Sequence, residues 1–318
     1  MYSKVVKFIG VDVSARVLDC SSVDGAYFKV RNTSKGFEEF VLMVPGQNTV
    51  AVEATGVYYV NFAKFLHEKG WKVYVLNPLA IKAYSQSFLS RIKTDKVDSA
   101  LIASFIAERH LKLRPFEPRY RPMELISILV NYAESLKIQR VAMLNRIHSI
   151  AFLDPLVHAD IASSVDDSKL LIAKLYKEIK ARCAEDESIS RDLKLIATLP
   201  GFSIESAIRL LAVVGDVRRF SSDRAFASFC GITPKIRQSG QMKSVPGISK
   251  LGPSGARRVL WLAAMSASNT ASSYGDYYRK LLSTGKKPAK CIVALANRLA
   301  RGVWHVLNSD SNSPVKVT

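Results

Sequence analysis

Two short apolar, β-rich runs each carry one carboxylate near the end, which points the first third of the chain to a sheet with acids at its strand ends. Val5–Val13 is interrupted at Asp12, within Phe8-Ile9-Gly10-Val11-Asp12-Val13-Ser14, and Thr49-Val50-Ala51-Val52 stops at Glu53. Asp95 and Asp98 sit three apart in Lys93-Thr94-Asp95-Lys96-Val97-Asp98, at the opening of a helical pattern, so their carboxylates share one helix face. Carboxylates at strand ends and on an adjacent helix supply the oxygen ligands that hard divalent cations take. A cation held this way orients a nucleophile and stabilises phosphoryl oxygens, the service phosphodiester chemistry needs. Taken singly, each acid is as readily a helix cap or a partner of Lys93 or Lys96. All four in this arrangement favour a metal site for Mg²⁺ or Mn²⁺.

Residues 5–110 read as α/β. Val5–Val13, Val17–Ser22 and Tyr27–Arg31 are strand-like, with Asp24-Gly25 as a hairpin turn between the last two. Ser34 is placed to cap a helix carrying Phe37, Phe40 and Val41. A strand over Val50–Glu53, a helix from Val57 to Lys69 stopped by Gly70, and a strand over Lys72–Leu76 follow. Helical stretches over Leu79–Phe88 and Thr94–Arg109 close the segment. Three strands, helix, strand, helix, strand, helix is the order of an RNase H-like (RuvC-like) fold, whose first and fourth strands are neighbours. That adjacency would bring Asp12 beside Glu53.

The proline-rich basic stretch 114–122 cannot continue a helix. Beyond it, Met123–Phe152 and Asp166–Ala184 carry heptad-like apolar stripes (Ile126, Leu129, Ala133, Leu136 and Leu171, Leu175, Ile179), predicting a coiled-coil-like helical hairpin. Such a hairpin serves equally as a dimerisation arm or as packing for its own domain. Residues 198–207, Thr-Leu-Pro-Gly-Phe-Ser-Ile-Glu-Ser-Ala, resemble a helix-hairpin-helix turn, with Pro200 and Gly201 at the turn and Ser203 where a second glycine is usual. The competing account is a turn that packs two helices. The expected organisation is 1–113 as a metal-binding domain, 114–190 as linker and helical hairpin, and 191–318 as a mainly helical basic domain.

Charge narrows the partner class. The net charge is +19, and residues 231–318 hold 14 Lys or Arg against Asp276 and Asp310. A positive field concentrated over a whole domain and interleaved with Trp261, Tyr274, Tyr277, Tyr278 and Trp304 favours a nucleic-acid surface over a merely solvated face. No run of about 18 apolar residues suggests a membrane span. The four scattered cysteines and five histidines exclude a zinc or disulfide framework. A cytoplasmic, nucleoid-associated protein is expected.

A second polar centre lies between Pro234 and Lys250: Lys235-Ile236-Arg237-Gln238-Ser239-Gly240-Gln241-Met242-Lys243-Ser244. A serine before glycine is most often a turn residue. Here Lys235, Arg237 and Lys243 could stabilise a phosphate and make the Ser239 hydroxyl more acidic. No histidine stands nearby as a base, so hydrolase-triad chemistry finds no support.

These motifs in this order resemble the IS110 family of insertion-sequence transposases, DEDD-type recombinases with a RuvC-like N-terminal domain. The resemblance runs nearly the whole length. It rests on Ile9-Gly10-Val11-Asp12, Glu53-Ala54-Thr55-Gly56, Asn77-Pro78, Lys93–Asp98, Leu199-Pro200-Gly201, Phe229–Pro234, Gln238-Ser239-Gly240 and the basic helix after Lys250-Leu251-Gly252, which carries Arg257 and Arg258. It implies that Asp12, Glu53, Asp95 and Asp98 are the metal-binding tetrad and that Ser239 is the nucleophile of a C-terminal transposase domain, joined to a DNA 5′ phosphate. It further implies double-stranded donor and target DNA, a structured bridge RNA as guide, and dimers or tetramers in which one protomer's tetrad meets another's serine. Lys93, Lys96, Pro200, Gly201, Lys235, Arg237, Lys243, Lys250, Arg257 and Arg258 are the expected nucleic-acid contacts. A RuvC-like junction nuclease, a site-specific DNA invertase of the same family and a non-enzymatic nucleic-acid-binding protein stay open at this point.

Overall fold

In a computed structural model, described for residues 8–44, 46, 48–54, 56–87, 94–150, 154–234, 237–239, 242–244 and 247–309, the chain folds as two compact units, Met1–Pro118 and Arg119–Thr318. The first unit is built on strands β1 (Phe8–Val13), β2 (Val17–Ser22), β3 (Tyr27–Arg31), β4 (Thr49–Glu53) and β5 (Lys72–Leu76). Between and after them come α1 (Ser34–Met43), α2 (Val60–Glu68), α3 (Pro78–Gln86) and α4 (Asp95–Arg109). The strand order is β3-β2-β1-β4-β5, with β1 antiparallel to β2 and parallel to β4, so the first and fourth strands are neighbours.

Strand alternation gives the sheet two apolar faces. Ile9, Val11, Leu18, Cys20, Val50, Val52 and Val73 pack with Phe37 and Phe40 of α1 and Phe62 of α2. The Phe40 and Phe62 rings meet edge to face, 5.0 Å between centroids. Each is fully buried, worth about 1.5–3 kcal/mol apiece. The opposite face carries Ala51, Tyr74 and Leu76 under Ile81 of α3 and Ile102, Phe105 and Ile106 of α4.

Gly10 faces α4. A Cβ there would lie 2.2 Å from both the Ala103 amide nitrogen and the Ser99 carbonyl oxygen, so the helix backbone lies directly on β1. Beside it the Ser21 and Ser99 hydroxyls, both buried, hydrogen-bond at 2.8 Å. Gly10→Ala is expected to cost about 3 kcal/mol or more, the upper end of ordinary overpacking, because both clashes are with backbone that cannot rotate away. Urea unfolding of the purified variant measures this directly.

Sequence expectations and structure differ at several boundaries. Thr33, not Ser34, caps α1, its side chain accepting from the Gly36 amide, while Ser34 begins the helix. The helix expected from Val57 begins at Val60, after a turn. The second arm of the hairpin starts at Pro155 rather than near Asp166, because the Asp154 side chain accepts from the Leu156 and Val157 amides and Pro155 occupies the first turn.

The second unit begins with α5 (Arg121–Ile150) and α6 (Pro155–Glu185), which form the hairpin. The helices α7 (Glu187–Ala197), α8 (Ile204–Val214) and α9 (Asp223–Phe229) follow, then strands β6 (Arg237–Ser239) and β7 (Met242–Ser244). Helices α10 (Ser254–Ser268), α11 (Ser273–Ser283) and α12 (Pro288–Asn308) complete it. The root of the hairpin shares one core with the later helices: Ile126, Val130, Ala133, Tyr176 and Ile179 join Leu193, Ile208, Leu260 and Leu299. Further out the hairpin leaves apolar side chains in solvent, including Ile138 (62% exposed), Leu156 (72%) and Leu170 (70%). All four cysteines are buried free thiols. Among the described residues no helix is long and apolar enough to cross a membrane.

Candidate active site

The face of the sheet that meets α4 also carries the acids. Asp12 lies two residues beyond Gly10 on β1 and so projects to the same side, toward α4. The parallel register pairs Val11 with Val52, which makes Asp12 and Glu53 the next positions along two neighbouring strands. Thr94 caps α4, its hydroxyl accepting from the Val97 amide, and this sets Asp95 and Asp98 in the first turn. Acids there also complement the positive end of the helix dipole, a stabilising role they would have in any helix. The Gly10 contact fixes how closely that turn approaches β1.

Burial pushes the Asp12 carboxyl up to about 6, with repulsion from Asp98, Asp95, Glu53 and Asp19 adding to it in that order. The four sequence-predicted acids therefore share one electrostatic neighbourhood. Among the described residues no three His, Cys, Asp or Glu side chains close into a ready cation cage. The acids gather by position, on the α4 side of the sheet, in spite of their mutual repulsion. Their donor set, oxygen only, fits a hard divalent ion.

Sequence reasoning missed two residues here. Asp19 stands opposite Asp12 in the β1–β2 register and is buried. Its carboxylate accepts the Tyr27 hydroxyl at 2.5 Å and pairs with Lys29 Nζ at 2.9 Å. The lysine neutralises a charge that would otherwise sit unpaired beside the tetrad. The Asp24-Gly25 turn held part of the signal, since counting back from a hairpin there sets position 19 against Lys29. Asn32 is the other: its side-chain amide donates to the Ser14 carbonyl at 2.8 Å and the Tyr58 carbonyl at 3.1 Å, tying the turn after β1 to the turn after β4. Both turns follow a tetrad acid. Lys96, within the first turn of α4, sets its ammonium 5.4 Å from the Tyr27 ring centroid.

The serine centre is closed at its base by backbone. Pro234 bridges Ile248, the Ser249 amide donates to the Thr233 carbonyl at 2.9 Å, and the Lys250 amide donates to the Gly231 carbonyl at 3.2 Å. Gly231 and Gly252 have φ of +69° and +153°, and a Cβ on Gly252 would lie 2.0 Å from the Phe229 carbonyl oxygen. Lys250 is itself left-handed, at φ +53°. Arg257 locks the closure, donating from Nη1 to the Gly252 carbonyl at 2.6 Å. From this base β6 and β7 run antiparallel, Ser239 pairing with Met242 and Arg237 with Ser244.

Two family models match the chain. A DEDD-type IS110 model, described as "Transposase", matches residues 9–154, and one described as "Transposase IS116/IS110/IS902 family" matches residues 193–279. The chain belongs to the IS110 family of transposases. Among curated relatives, a pilin gene-inverting protein of Moraxella lacunata is 27% identical over 316 residues, covering 95% of this chain and 96% of the relative. A transposase of an insertion sequence element in Coxiella burnetii is 24% identical, covering 96% and 90%. Another, from Yersinia enterocolitica, is 22% identical, covering 95% and 96%. An IS110-family protein is a transposase or recombinase, and DNA is the substrate this implies.

Within this IS110-family chain the predicted residues fall into separate places. Asp12, Glu53, Asp95 and Asp98 come together on the first unit. Arg237, Ser239 and Lys243 share the β6–β7 ribbon of the second unit, of which the backbone is described. Arg257, Arg258 and Lys250 flank its base, Arg258 and Lys250 exposed. Lys93 and Lys235 lie outside the described residues. Gly201, at φ +86°, packs its backbone on α10, where a Cβ would meet the Ala263 carbonyl oxygen at 2.1 Å. Ser203, in the place of a second glycine, caps α8 by accepting from the Ser206 amide. The Pro200-Gly201 turn thus has a packing duty of its own.

Proposed function

We propose that this IS110-family transposase cuts and rejoins DNA through a phosphoserine ester on Ser239, with Asp12, Glu53, Asp95 and Asp98 holding a divalent ion on an RNase H-like domain. The observation that carries the reading is the convergence of three further acids on Asp12, all on the α4 side of the sheet. Four carboxylates gathered this way repel one another, and a protein gains nothing from the arrangement unless a cation relieves it. Divalent-metal use goes with the DEDD-type transposase domain; Mg²⁺ is our choice of ion. When bound, it would polarise a phosphate and offset charge developing on its oxygens.

In the proposed first step the Ser239 Oγ–P bond forms as the P–O3′ bond breaks. The hydroxyl proton is released, and the departing 3′ oxygen takes up a proton. The bond energy is kept in the ester, so a second 3′ hydroxyl regains the phosphate and frees the serine without ATP. Arg237 and Lys243, on the same ribbon, suit the phosphate's charge. A structured bridge RNA as guide and a dimer or tetramer are part of the proposal. The apolar side chains left in solvent along the outer hairpin favour assembly through it. DNA inversion is the second outcome worth separating from transposition, since the Moraxella relatives that match end to end are named for inverting a gene.

The test is a protein–DNA adduct that survives denaturation. Purified protein, junction DNA and RNA from the element's flank are expected to yield it with Mg²⁺ and not with EDTA. Cleavage without any adduct would instead favour a water-activating nuclease.

A further inference from the structure

A cavity of about 220 Å³ lies at the foot of the β6–β7 ribbon, between α10 and α12, lined by Ile232, Ile248, Trp261, Val293, Arg257 and Arg258. Its walls are apolar, its one aromatic is the half-buried Trp261, and it has no acid in its lining. We propose that it receives a single unstacked nucleobase of the DNA strand that Ser239 cuts, stacked on Trp261, with the adjoining phosphate at Arg258. This rests on the reading that the second unit carries out DNA strand chemistry.

Four observations argue for that occupant. The volume falls below the roughly 300–1,000 Å³ usual for drug-sized ligands, which suits one flat ring system and excludes a lipid chain or folded peptide. The arginines complement a phosphodiester, and they stand in the segment that holds 14 basic residues against two acids. Arg257 is already spent on the Gly252 carbonyl, which fixes that wall of the cavity and leaves the exposed Arg258 for the backbone phosphate. Lastly, Ser239 lies five residues past Pro234, whose bridge partner Ile248 lines the cavity, so at most about 18 Å of extended chain separates Pro234 from the serine. A base lodged here would anchor the strand within a few nucleotides of the bond to be cut. An extruded base costs unstacking energy, least where the strand is already opened, so the cavity would favour DNA already melted.

The experiment uses the full chain and a fluorescein-labelled single-stranded DNA spanning the cut site, with one abasic position walked along it, read by fluorescence anisotropy. Trp261→Ala is expected to weaken binding about 5- to 150-fold, the range for losing one base–aromatic stack, and Trp261→Phe to restore most of it. One abasic position should reproduce the loss in the wild-type chain and add nothing in Trp261→Ala, the mark of a shared contact. If Trp261→Ala unfolds the protein, the abasic walk on the wild type and Arg258→Gln still decide: a flat walk together with unchanged Arg258→Gln affinity overturns the proposal. Full additivity of the abasic loss with Trp261→Ala overturns it too. So does a dimer that Trp261→Ala converts to monomer with DNA affinity unchanged, which would make the occupant a second copy. The adduct assay on the same preparations separates the levels. Adduct without any cavity effect sinks this inference alone, whereas no adduct on any junction DNA sinks the functional reading beneath it.

Discussion

Asp12→Asn is expected to abolish strand exchange while making the metal-free protein more stable. Both effects follow from one feature, a half-buried carboxylate that Asp98, Asp95, Glu53 and Asp19 all repel. Its folded value of about 6 lies above the ordinary 3.8, so between those values the folded chain holds a proton the unfolded chain has released. Stability contributed by this group is therefore present at low pH and falls as pH rises through that window. Near neutral pH the ionised carboxylate opposes folding. Asparagine keeps the shape and removes the charge, so its melting temperature should exceed the wild type's at neutral pH without divalent ions. The gap should narrow below about pH 6 and close only below the ordinary value of 3.8. Mg²⁺ should raise the wild-type melting temperature at neutral pH and leave the variant nearly unmoved. Strand exchange should fall by roughly a thousandfold or more, the upper scale for removing an electrostatic stabiliser of a transition state. A variant that melts lower than wild type at neutral pH, or that binds Mg²⁺ as well, would make Asp12 a structural residue.

How much of this the sequence disclosed depends on whether the signal was local. β2, β3 and β5 run over the residues their apolar pattern marked, because alternation and turn residues act within a few positions. Asp95 and Asp98 were legible because helix spacing alone puts them on one face. Asp19 was not. Its meaning comes from a cross-strand partner seven residues away and from Lys29 on a third strand, and no window along β2 contains both. Asn32 was hidden for the same reason, its two acceptors lying 18 and 26 positions distant. Gly10 looked like one more residue of a strand, yet the backbone of α4 needs the room. The early start of α6 was legible in Asp154-Pro155 and lost to an apolar stripe that begins later. The β6–β7 ribbon escaped because it is polar at every strand position but Met242, with no alternation to read; main-chain pairing and a glycine-closed base hold it instead.

That ribbon frames the second large expectation: Ser239→Ala should eliminate the denaturation-resistant adduct and with it all strand rejoining, while DNA affinity changes by no more than about twofold. The affinity bound follows from the size of the change. A small polar substitution that creates no cavity and breaks no cap or buried network changes stability by about half a kilocalorie per mole or less, about twofold in an equilibrium constant. The chemical loss is total because an ester needs an oxygen to carry it, and alanine has none. Ser239 closes the last pair of β6, opposite Met242, so its position is set by backbone bonds that alanine keeps. An intact fold with no adduct is thus the expected phenotype, and circular dichroism beside the adduct gel checks both halves. Asp12→Asn should give the same empty gel for a different reason, and Mg²⁺ titration tells them apart. Ser239→Ala should keep the wild-type stabilisation by Mg²⁺, since it leaves all four tetrad carboxylates in place. Should Ser239→Ala still form adduct, another residue is the nucleophile; should it lose DNA binding or melt sharply lower, the serine is structural.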